Sequence, residues 1–170
     1  MTTRRRMLQG MAAAMALPVA RTEAAGRPPD HAADCVFCRI DAGQAEATIV
    51  WRDARCMVIA DRWPFAPGHV LLMPRSHVQD LYALPPDLAA HLYAFAPRLA
   101  RELKLAFDAD GITCLQNNEV AGGQSVFHYH MHFVPRVAGV ELWRRLNPRP
   151  EAAPGLREQL FAPVRAALAG

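Results

Sequence analysis

The sequence predicts an α+β fold in which a five-stranded antiparallel sheet packs against one main helix and a C-terminal helix. Two patterns carry this prediction. Short apolar runs separated by turns are typical of antiparallel strands, and one long stretch has apolar residues at helical spacing. The chain has 170 residues, of which 52% are hydrophobic, so it is long enough for one globular domain with a core.

Five strands are predicted from these apolar runs, and they cover residues 48–51, 56–61, 69–74, 112–116 and 127–135. The turn at 52–55 joins the first two strands, and the loop at 63–68 (WPFAPG) contains strong breakers of regular structure. Because the first connections are short, neighbouring strands are expected to pair in antiparallel fashion.

Two helices are predicted. The main helix covers residues 85–107, and Pro86 suits its first turn. Its apolar face is formed at three- and four-residue spacing by Leu88, Leu92, Phe95, Leu99 and Leu103. Pro97 interrupts this helix, which predicts a kink. A terminal helix is predicted over residues 156–168, with a break near Pro163.

The N-terminus is predicted to be a leader followed by a linker. Arg4, Arg5 and Arg6 precede a weakly apolar stretch and then a run of small residues, an order typical of a twin-arginine export signal. The expected organisation is therefore a signal segment, a linker, the folded domain and a C-terminal extension with a helix, at residues 1–25, 26–33, 34–140 and 141–170.

The same segment carries the charge of the chain. Residues 1–25 contribute the whole formal charge of +3, so the remainder is neutral and no nucleic-acid partner is expected. Export to the periplasm is predicted, and a basic tail on a cytoplasmic protein is the alternative. The apolar stretch is too short and too rich in Ala for stable membrane insertion.

Three histidines, His128, His130 and His132, alternate along the last predicted strand. A strand would place all three imidazoles on one face. Imidazole is suited to nucleophilic attack, proton transfer and metal binding near neutral pH. The preceding segment 122–125 (GGQS) supplies amide and hydroxyl groups that can hold an anion. Together they suit phosphoryl or nucleotidyl transfer, in which the middle imidazole attacks phosphorus.

Four segments in register resemble the histidine triad (HIT) family of nucleotide hydrolases and transferases, in its zinc-containing bacterial, Hint-like branch. Residues 128–134 (HYHMHFV) fit the motif His-φ-His-φ-His-φ-φ, where φ is apolar. The other matching segments are 35–40 (CVFCRI), 67–77 (PGHVLLMPRSH) and 122–126 (GGQSV). The resemblance spans residues 34–137 and implies a two-fold homodimer.

The resemblance implies roles for the triad and its lead-in. His130 would form a covalent nucleotidyl-histidine intermediate, and water would then release a nucleoside monophosphate, expected to be AMP. A carbonyl that accepts from Nδ1–H of His130 would leave Nε2 to attack. His132 would contact the phosphate and protonate or position the leaving group. The remaining expected phosphate contacts are Ser125, Gln124 and Asn117. The catalytic set is therefore Ser125 with all three histidines.

Further residues are implied to bind the nucleoside. Asp61 would present an exposed carboxylate to the ribose diol, and Phe37 would contact the purine base. Ile40 and Ile59 are candidates for the same base contact, although ordinary core packing is at least as good an account of them. For His69, packing beneath the site and a direct role stay open.

Two interpretations of the cysteine pair are open, a zinc site and a disulfide. In zinc-containing relatives the ligands are two cysteines and two histidines, which correspond here to Cys35, Cys38, His77 and His128. Such a Cys₂His₂ set suits tetrahedral zinc in a structural role. The rival is a disulfide between Cys35 and Cys38, because an exported protein meets an oxidising compartment.

The expected activity is that of a phosphoramidase-like nucleotide hydrolase or transferase. Its substrates would be phosphoramidates, adenylates or dinucleoside polyphosphates of purine nucleosides. The alternative is a nucleotide-binding or zinc-binding interaction protein with little turnover.

Overall fold

The structure, a computed structural model, describes residues 32–141 and 151–170. It has the expected α+β architecture, with a five-stranded antiparallel sheet in the order β1-β2-β3-β5-β4. The strands are β1 (Ile49–Arg52), β2 (Cys56–Ala60), β3 (Val70–Pro74), β4 (Gly111–Gln116) and β5 (Met131–Arg136). The predicted signal segment, most of the linker and residues 142–150 of the extension lie outside the described residues.

In the described part of the chain, three α-helices accompany the sheet: α1 (Val36–Asp41), α2 (Pro86–Ala106) and α3 (Pro154–Ala169). Both longer helices have proline in their first turn, as predicted for α2. The predicted break near Pro163 is wrong, because α3 continues through it and is held by Phe161, Val164 and Leu168, all of them buried. None of the helices in the described ranges is long and apolar enough to span a membrane.

The two faces of the sheet bury different sets of side chains, as the two-residue period of a strand requires. On one face, Val58 and Leu72 pack with the buried side of α2 and α3. On the other face, Ile59 and Leu71 pack with Phe37 of α1. Every residue of β2 and β3 is therefore buried, and the functional residues lie on the α1 face.

The histidine strand is shorter than predicted. It begins at Met131, so His128 and His130 lie in the segment before it. In that segment the N–H of Tyr129 donates to the carbonyl of Val78, at 2.6 Å, in place of a ladder bond to β3. The alternation survives nevertheless, because Tyr129 and Met131 pack into the α2 side of the core while the histidines point away from it. The other four strands begin and end within one residue of their predicted bounds.

Candidate active site and metal centre

A cavity of about 390 Å³ opens on the α1 face of the sheet. Its wall comes from α1, the end of β2, the segment before β5 and the first turn of α3, and it includes His130, His132, Ser125, Asp61, Phe37, Ile40 and Ile59. A volume of this size is typical of pockets that bind small molecules. The fold therefore brings together most of the residues for which the sequence predicts substrate contacts or catalysis.

His130 is 5% exposed, and its position defines which ring nitrogen is available. Nδ1 lies 2.6 Å from the carbonyl oxygen of His128. Because a carbonyl only accepts, Nδ1 carries the hydrogen and Nε2 keeps the lone pair. Burial lowers the pKa of His130; the carbonyl of His128 and the carboxylate of Asp61 oppose it, but the net shift is downward. The ring is therefore neutral, with a nucleophilic nitrogen, at neutral pH.

His132 is held by His69, which is buried beneath the cavity. The N–H of Phe65 donates to Nδ1 of His69 at 3.1 Å, so the hydrogen of that ring sits on Nε2. Nε2 of His69 lies 2.9 Å from Nδ1 of His132 and donates to it. His132 consequently carries its own hydrogen on Nε2. Its ring centroid is 5.0 Å from that of His130, so a hydrogen-bond donor stands beside the nucleophile.

Asp61 follows the end of β2, but its carboxylate is buried to 9% exposure rather than exposed as expected. Oδ1 accepts the N–H of Trp63 at 2.6 Å. Oδ2 lies 3.4 Å from Nδ1 of His69 and 3.9 Å from Nδ1 of His132. The carboxylate still lines the cavity, where it is both an acceptor for a hydroxyl and a negative charge beside the histidines.

The three residues predicted to contact phosphate, besides the histidines, occupy two kinds of position. Ser125 lines the cavity, but Gln124 and Asn117 are not among the described residues that do so. The amide of Gln124 donates to the carbonyl of Gln79 at 2.7 Å and accepts the N–H of Glu119 at 2.8 Å. These bonds use both ends of the amide to hold the loop, and the phosphate contact of Gln124 stays a prediction. The side-chain amide of Asn117 likewise contacts the loop, where its Nδ2 lies 3.5 Å from the carbonyl oxygen of Gly123.

Next to the cavity, Cys35, Cys38, His77 and His128 form a cluster whose four ligand atoms lie within 4.8 Å of one another. The Sγ–Nδ1 distances are 3.4 Å for Cys35–His128, 3.4 Å for Cys38–His77 and 3.6 Å for Cys38–His128. Tetrahedral zinc with ordinary Zn–S and Zn–N bonds needs about 3.5 Å between sulfur and nitrogen ligands. The donor set and its spacing therefore fit a metal ion of this kind.

The surroundings of this cluster also suit a metal. Nε2 of His128 lies 2.8 Å from the carbonyl oxygen of Pro74, so Nδ1 keeps its lone pair facing the thiols. Burial is the main reason that the pKa of His128 falls to about 4, which keeps the ring neutral. Burial and then Cys35 raise the pKa of Cys38 to about 12. A dication would supply the positive charge that two thiolates lack here. The two cysteines are not joined to each other.

The metal cluster and the cavity share a wall. The ring of Phe37 packs edge-on against His128 and His130, with centroids 5.7 Å and 5.2 Å apart. Because Cys35 and Cys38 flank Phe37 in sequence, a metal bound by them fixes where this ring stands. His128 itself is fully buried, faces the thiols and does not line the cavity. The structure therefore places it with the ligands and apart from the other catalytic candidates.

The sequence did not predict that the C-terminal extension contributes to the cavity. Glu151, Pro154 and Arg157 line it, together with Arg62 of the loop after β2. Arg157 is 5% exposed and stands on the same face of α3 as the buried apolar residues Phe161, Val164 and Leu168. A charged residue at a core position of an amphipathic helix is the signal that would have identified it.

A protein-family model described as HIT domain matches residues 42–139, which is more than half of the chain. The chain belongs to the HIT domain family. This family comprises nucleotide-binding proteins and, typically, nucleotide hydrolases and transferases. Both the resemblance found in the sequence and the predicted fold class are thereby confirmed.

Known HIT proteins resemble this one along most of the described domain. Protein hit of Bacillus subtilis is 36% identical over 105 residues, which are 62% of this chain and 72% of that protein. Adenylylsulfatase HINT3 of Arabidopsis thaliana is 34% identical over 110 residues, or 65% of this chain and 56% of that protein. The crystal structure of a Zn-bound histidine triad family protein from Mycobacterium smegmatis has a TM-score of 0.70 and 37% identity, covering 82% of this chain and 96% of that one.

Proposed function

We propose that this HIT protein is a nucleotidyl hydrolase or transferase that releases a nucleoside monophosphate through a covalent intermediate on His130. The observation that carries the proposal is the 2.6 Å contact between Nδ1 of His130 and the carbonyl of His128. It assigns the reactive lone pair to Nε2 of a neutral ring at the cavity wall, as a nucleophile requires.

The reaction has two steps. In the first, Nε2 of His130 attacks the α-phosphorus, and the bond from phosphorus to the leaving nitrogen or oxygen breaks. The leaving group departs with its bonding electron pair, accepts a hydrogen bond from Nε2–H of His132 and takes its proton from water. In the second step, water attacks the same phosphorus and releases a proton to the solvent. The P–N bond breaks, and the monophosphate and the free imidazole are produced.

The remaining cavity residues have matching roles. Ser125 lies beside the triad and donates its hydroxyl to a phosphate oxygen. Asp61 accepts from the ribose hydroxyls, and Phe37 with Ile59 provides apolar surface for the base. Substrates of this kind are phosphoramidates, adenylates and dinucleoside polyphosphates, and the phosphoramidate is the expected best substrate because its leaving nitrogen must gain a proton as it departs.

The test follows monophosphate release from an adenosine phosphoramidate by the wild type and by His130→Ala and His130→Gly. Turnover is expected to fall by about three orders of magnitude or more in both variants, with nucleotide binding retained. His91→Gln is the matched control, because His91 lies on α2, where its Nε2 contacts Asp53 at 2.7 Å. Equal rates for the wild type and His130→Ala would contradict the assignment. Nucleotide binding without turnover by the wild type would favour an interaction protein.

We also propose that the Cys₂His₂ cluster holds structural zinc, supported by the sulfur–nitrogen distances of 3.4–3.6 Å. Zinc would tie α1 to the sheet and would take no part in bond breaking. Metal analysis of freshly prepared, reduced protein should find one zinc per chain, and Cys35→Ser should lose it. Protein that contains no zinc but has a bond between Cys35 and Cys38 would support the disulfide instead.

Dimerisation and export complete the proposal. β4 is at the end of the strand order, and one of its edges pairs with no other strand of the described residues, which supports pairing with a second chain. Sedimentation should therefore give twice the mass of the chain. For export, Arg4→Lys combined with Arg5→Lys should retain the protein in the cytoplasm, which cell fractionation would detect. A monomer, or a periplasmic double variant, would count against the respective proposal.

A further inference from the structure

The metal cluster contains a cysteine pair that can also close on itself. Cys35 is the N-cap of α1, and Cys38 stands three residues later in its first turn. Residues three apart along a helical turn have Cα atoms about 5 Å apart, which is within the range of roughly 4.4–6.8 Å that a disulfide requires. The sulfurs of Cys35 and Cys38 lie 3.4 Å and 3.6 Å from the same atom, Nδ1 of His128. They therefore converge on one point, where they can bind a metal or bond to each other.

The two cysteines differ in their access to solvent. Cys35 is buried, at 8% exposure, whereas Cys38 is partly exposed. An oxidant therefore reaches Cys38 first, and Cys35 is the neighbouring thiol that can complete the reaction. A pair that responds to oxidation needs such an arrangement, with an accessible thiol beside a second one.

Two contacts connect the cysteine pair to the nucleophile. The ring of His128 belongs to the metal cluster, and the backbone carbonyl of the same residue lies 2.6 Å from Nδ1 of His130. Phe37 stands between the two cysteines in sequence, and its ring centroid is 5.2 Å from that of His130. A change in the cysteine pair consequently reaches both the hydrogen bond that sets the tautomer of His130 and the ring that packs against it.

Other contacts hold α1 on the sheet independently of the cysteines. Phe37 and Ile40 are buried among apolar side chains of β2 and β3. Nε of Arg75 lies 2.7 Å from Oδ1 of Asp41, the last residue of the helix. The cysteine pair can therefore change its state while the domain stays folded, which makes the change reversible.

We propose that Cys35 and Cys38 form a redox switch, in which a low-molecular-weight disulfide oxidises them to a bonded pair, the metal is released and the activity at His130 falls. The inference rests on the proposed function and on its zinc site, and it adds the regulation of that site. Zinc site and disulfide are then the reduced and the oxidised state of one cysteine pair.

The exchange has two steps and transfers two electrons. The thiolate of Cys38 attacks one sulfur of the small disulfide RSSR, which forms a mixed disulfide and releases one RS⁻. The thiolate of Cys35 then attacks the sulfur of Cys38, the bond between the two cysteines forms, and the second RS⁻ leaves. The cysteines are oxidised and RSSR is reduced to two thiolates. Of the four ligands only His77 and His128 remain, which are too few for a structural zinc site.

The experiment treats the zinc-loaded full chain with glutathione disulfide. A chromogenic chelator measures released zinc, and peptide mass spectrometry detects the bond between Cys35 and Cys38. The wild type is expected to release one zinc per chain and to lose about tenfold in kcat/KM with an adenosine phosphoramidate. A thiol reductant with added zinc should restore both. Cys114→Ser, which removes an exposed cysteine of β4, is the matched control and should behave as the wild type.

Cys38→His separates oxidation from metal loss, because an imidazole can bind zinc but cannot form a disulfide. In glutathione disulfide this variant should keep its zinc, and its activity should be the same before and after the treatment. Where the variant does not fold, the wild type decides: the bond between Cys35 and Cys38 must form at the rate at which zinc is released.

The outcomes distinguish this inference from the proposals beneath it. Zinc that stays bound in glutathione disulfide, zinc release without the bond, or full activity of the oxidised protein would overturn the switch alone. Reduced protein without zinc would overturn the zinc site and the switch together. Zinc-loaded protein without turnover would overturn the hydrolase proposal, whereas zinc release that follows the bond between Cys35 and Cys38 would still support the switch.

Discussion

Replacing His69 tests whether the buried ring acts only by positioning His132. Nε2 of His69 donates to Nδ1 of His132 over 2.9 Å, and that bond leaves the hydrogen of His132 on Nε2. In His69→Ala the donor is gone, so both neutral tautomers of His132 become populated. The tautomer with hydrogen on Nδ1 offers the leaving group no hydrogen-bond donor at Nε2.

The magnitude follows from the single bond that is lost. One hydrogen bond between neutral groups contributes about 0.5–1.5 kcal/mol, which corresponds to about a 2- to 13-fold decrease in kcat. KM should change little, because His69 itself does not line the cavity. His69→Gln should recover most of the activity, since its amide N–H can take the place of the ring donor.

Two measurements check this account. Steady-state kinetics with an adenosine phosphoramidate separates kcat from KM, and ¹⁵N NMR of His132 reports the tautomer directly. The wild type and His69→Gln should show one tautomer, and His69→Ala a mixture. A decrease as large as that of His130→Ala would mean that His69 takes part in the chemistry. An unchanged His132 spectrum in His69→Ala would refute the positioning role.

Two further predictions concern one loop before β5 and the turn between β1 and β2. Gly122→Ala should lower both activity and melting temperature, because the added Cβ would overlap the backbone carbonyl of Asn118, whereas Gly155→Ala meets no neighbouring atom and serves as the control. Asp53→Asn should lower the free energy of unfolding by about 1–2 kcal/mol at pH 7, measured by urea titration. Burial tends to raise the pKa of Asp53, but two backbone N–H groups and His91 lower it overall. The pKa of Asp53 is lower in the folded protein than in the unfolded chain, where it is about 3.9, so the ionised carboxylate stabilises the fold above that pH. The difference in unfolding free energy between the wild type and Asp53→Asn should therefore vanish as the pH falls below about 4. A difference that grows on acidification would contradict this reasoning.

Much of the fold was predictable because it depends on local patterns. Short continuous apolar runs define β2 and β3, and a three- and four-residue period defines α2. The start of β5 was not predictable in this way, since the segment before Met131 bonds to Val78 in another part of the chain. Pro163 was also misjudged, because buried neighbours on α3 offset the hydrogen bond that proline removes.

The site also has residues that a local motif predicts and contacts that only the fold decides. The motif identified His130, His132 and Ser125, and the fold places all three at one cavity. The sequence could not show that the side-chain amide of Gln124 forms hydrogen bonds with Gln79 and Glu119. Both partners lie outside the motif, and the geometry of the loop decides which of them the amide reaches.

The sequence by itself determined the fold class, the family and the triad, because each is encoded in residues that are near one another along the chain. The resemblance already grouped His128 with Cys35 as metal ligands, and the tertiary structure adds that the ring of His128 lies outside the cavity that His130 and His132 line. The tertiary structure likewise brought Arg157 of α3 to the cavity wall. Such contacts depend on how helices and strands pack, and packing joins positions that no local pattern relates.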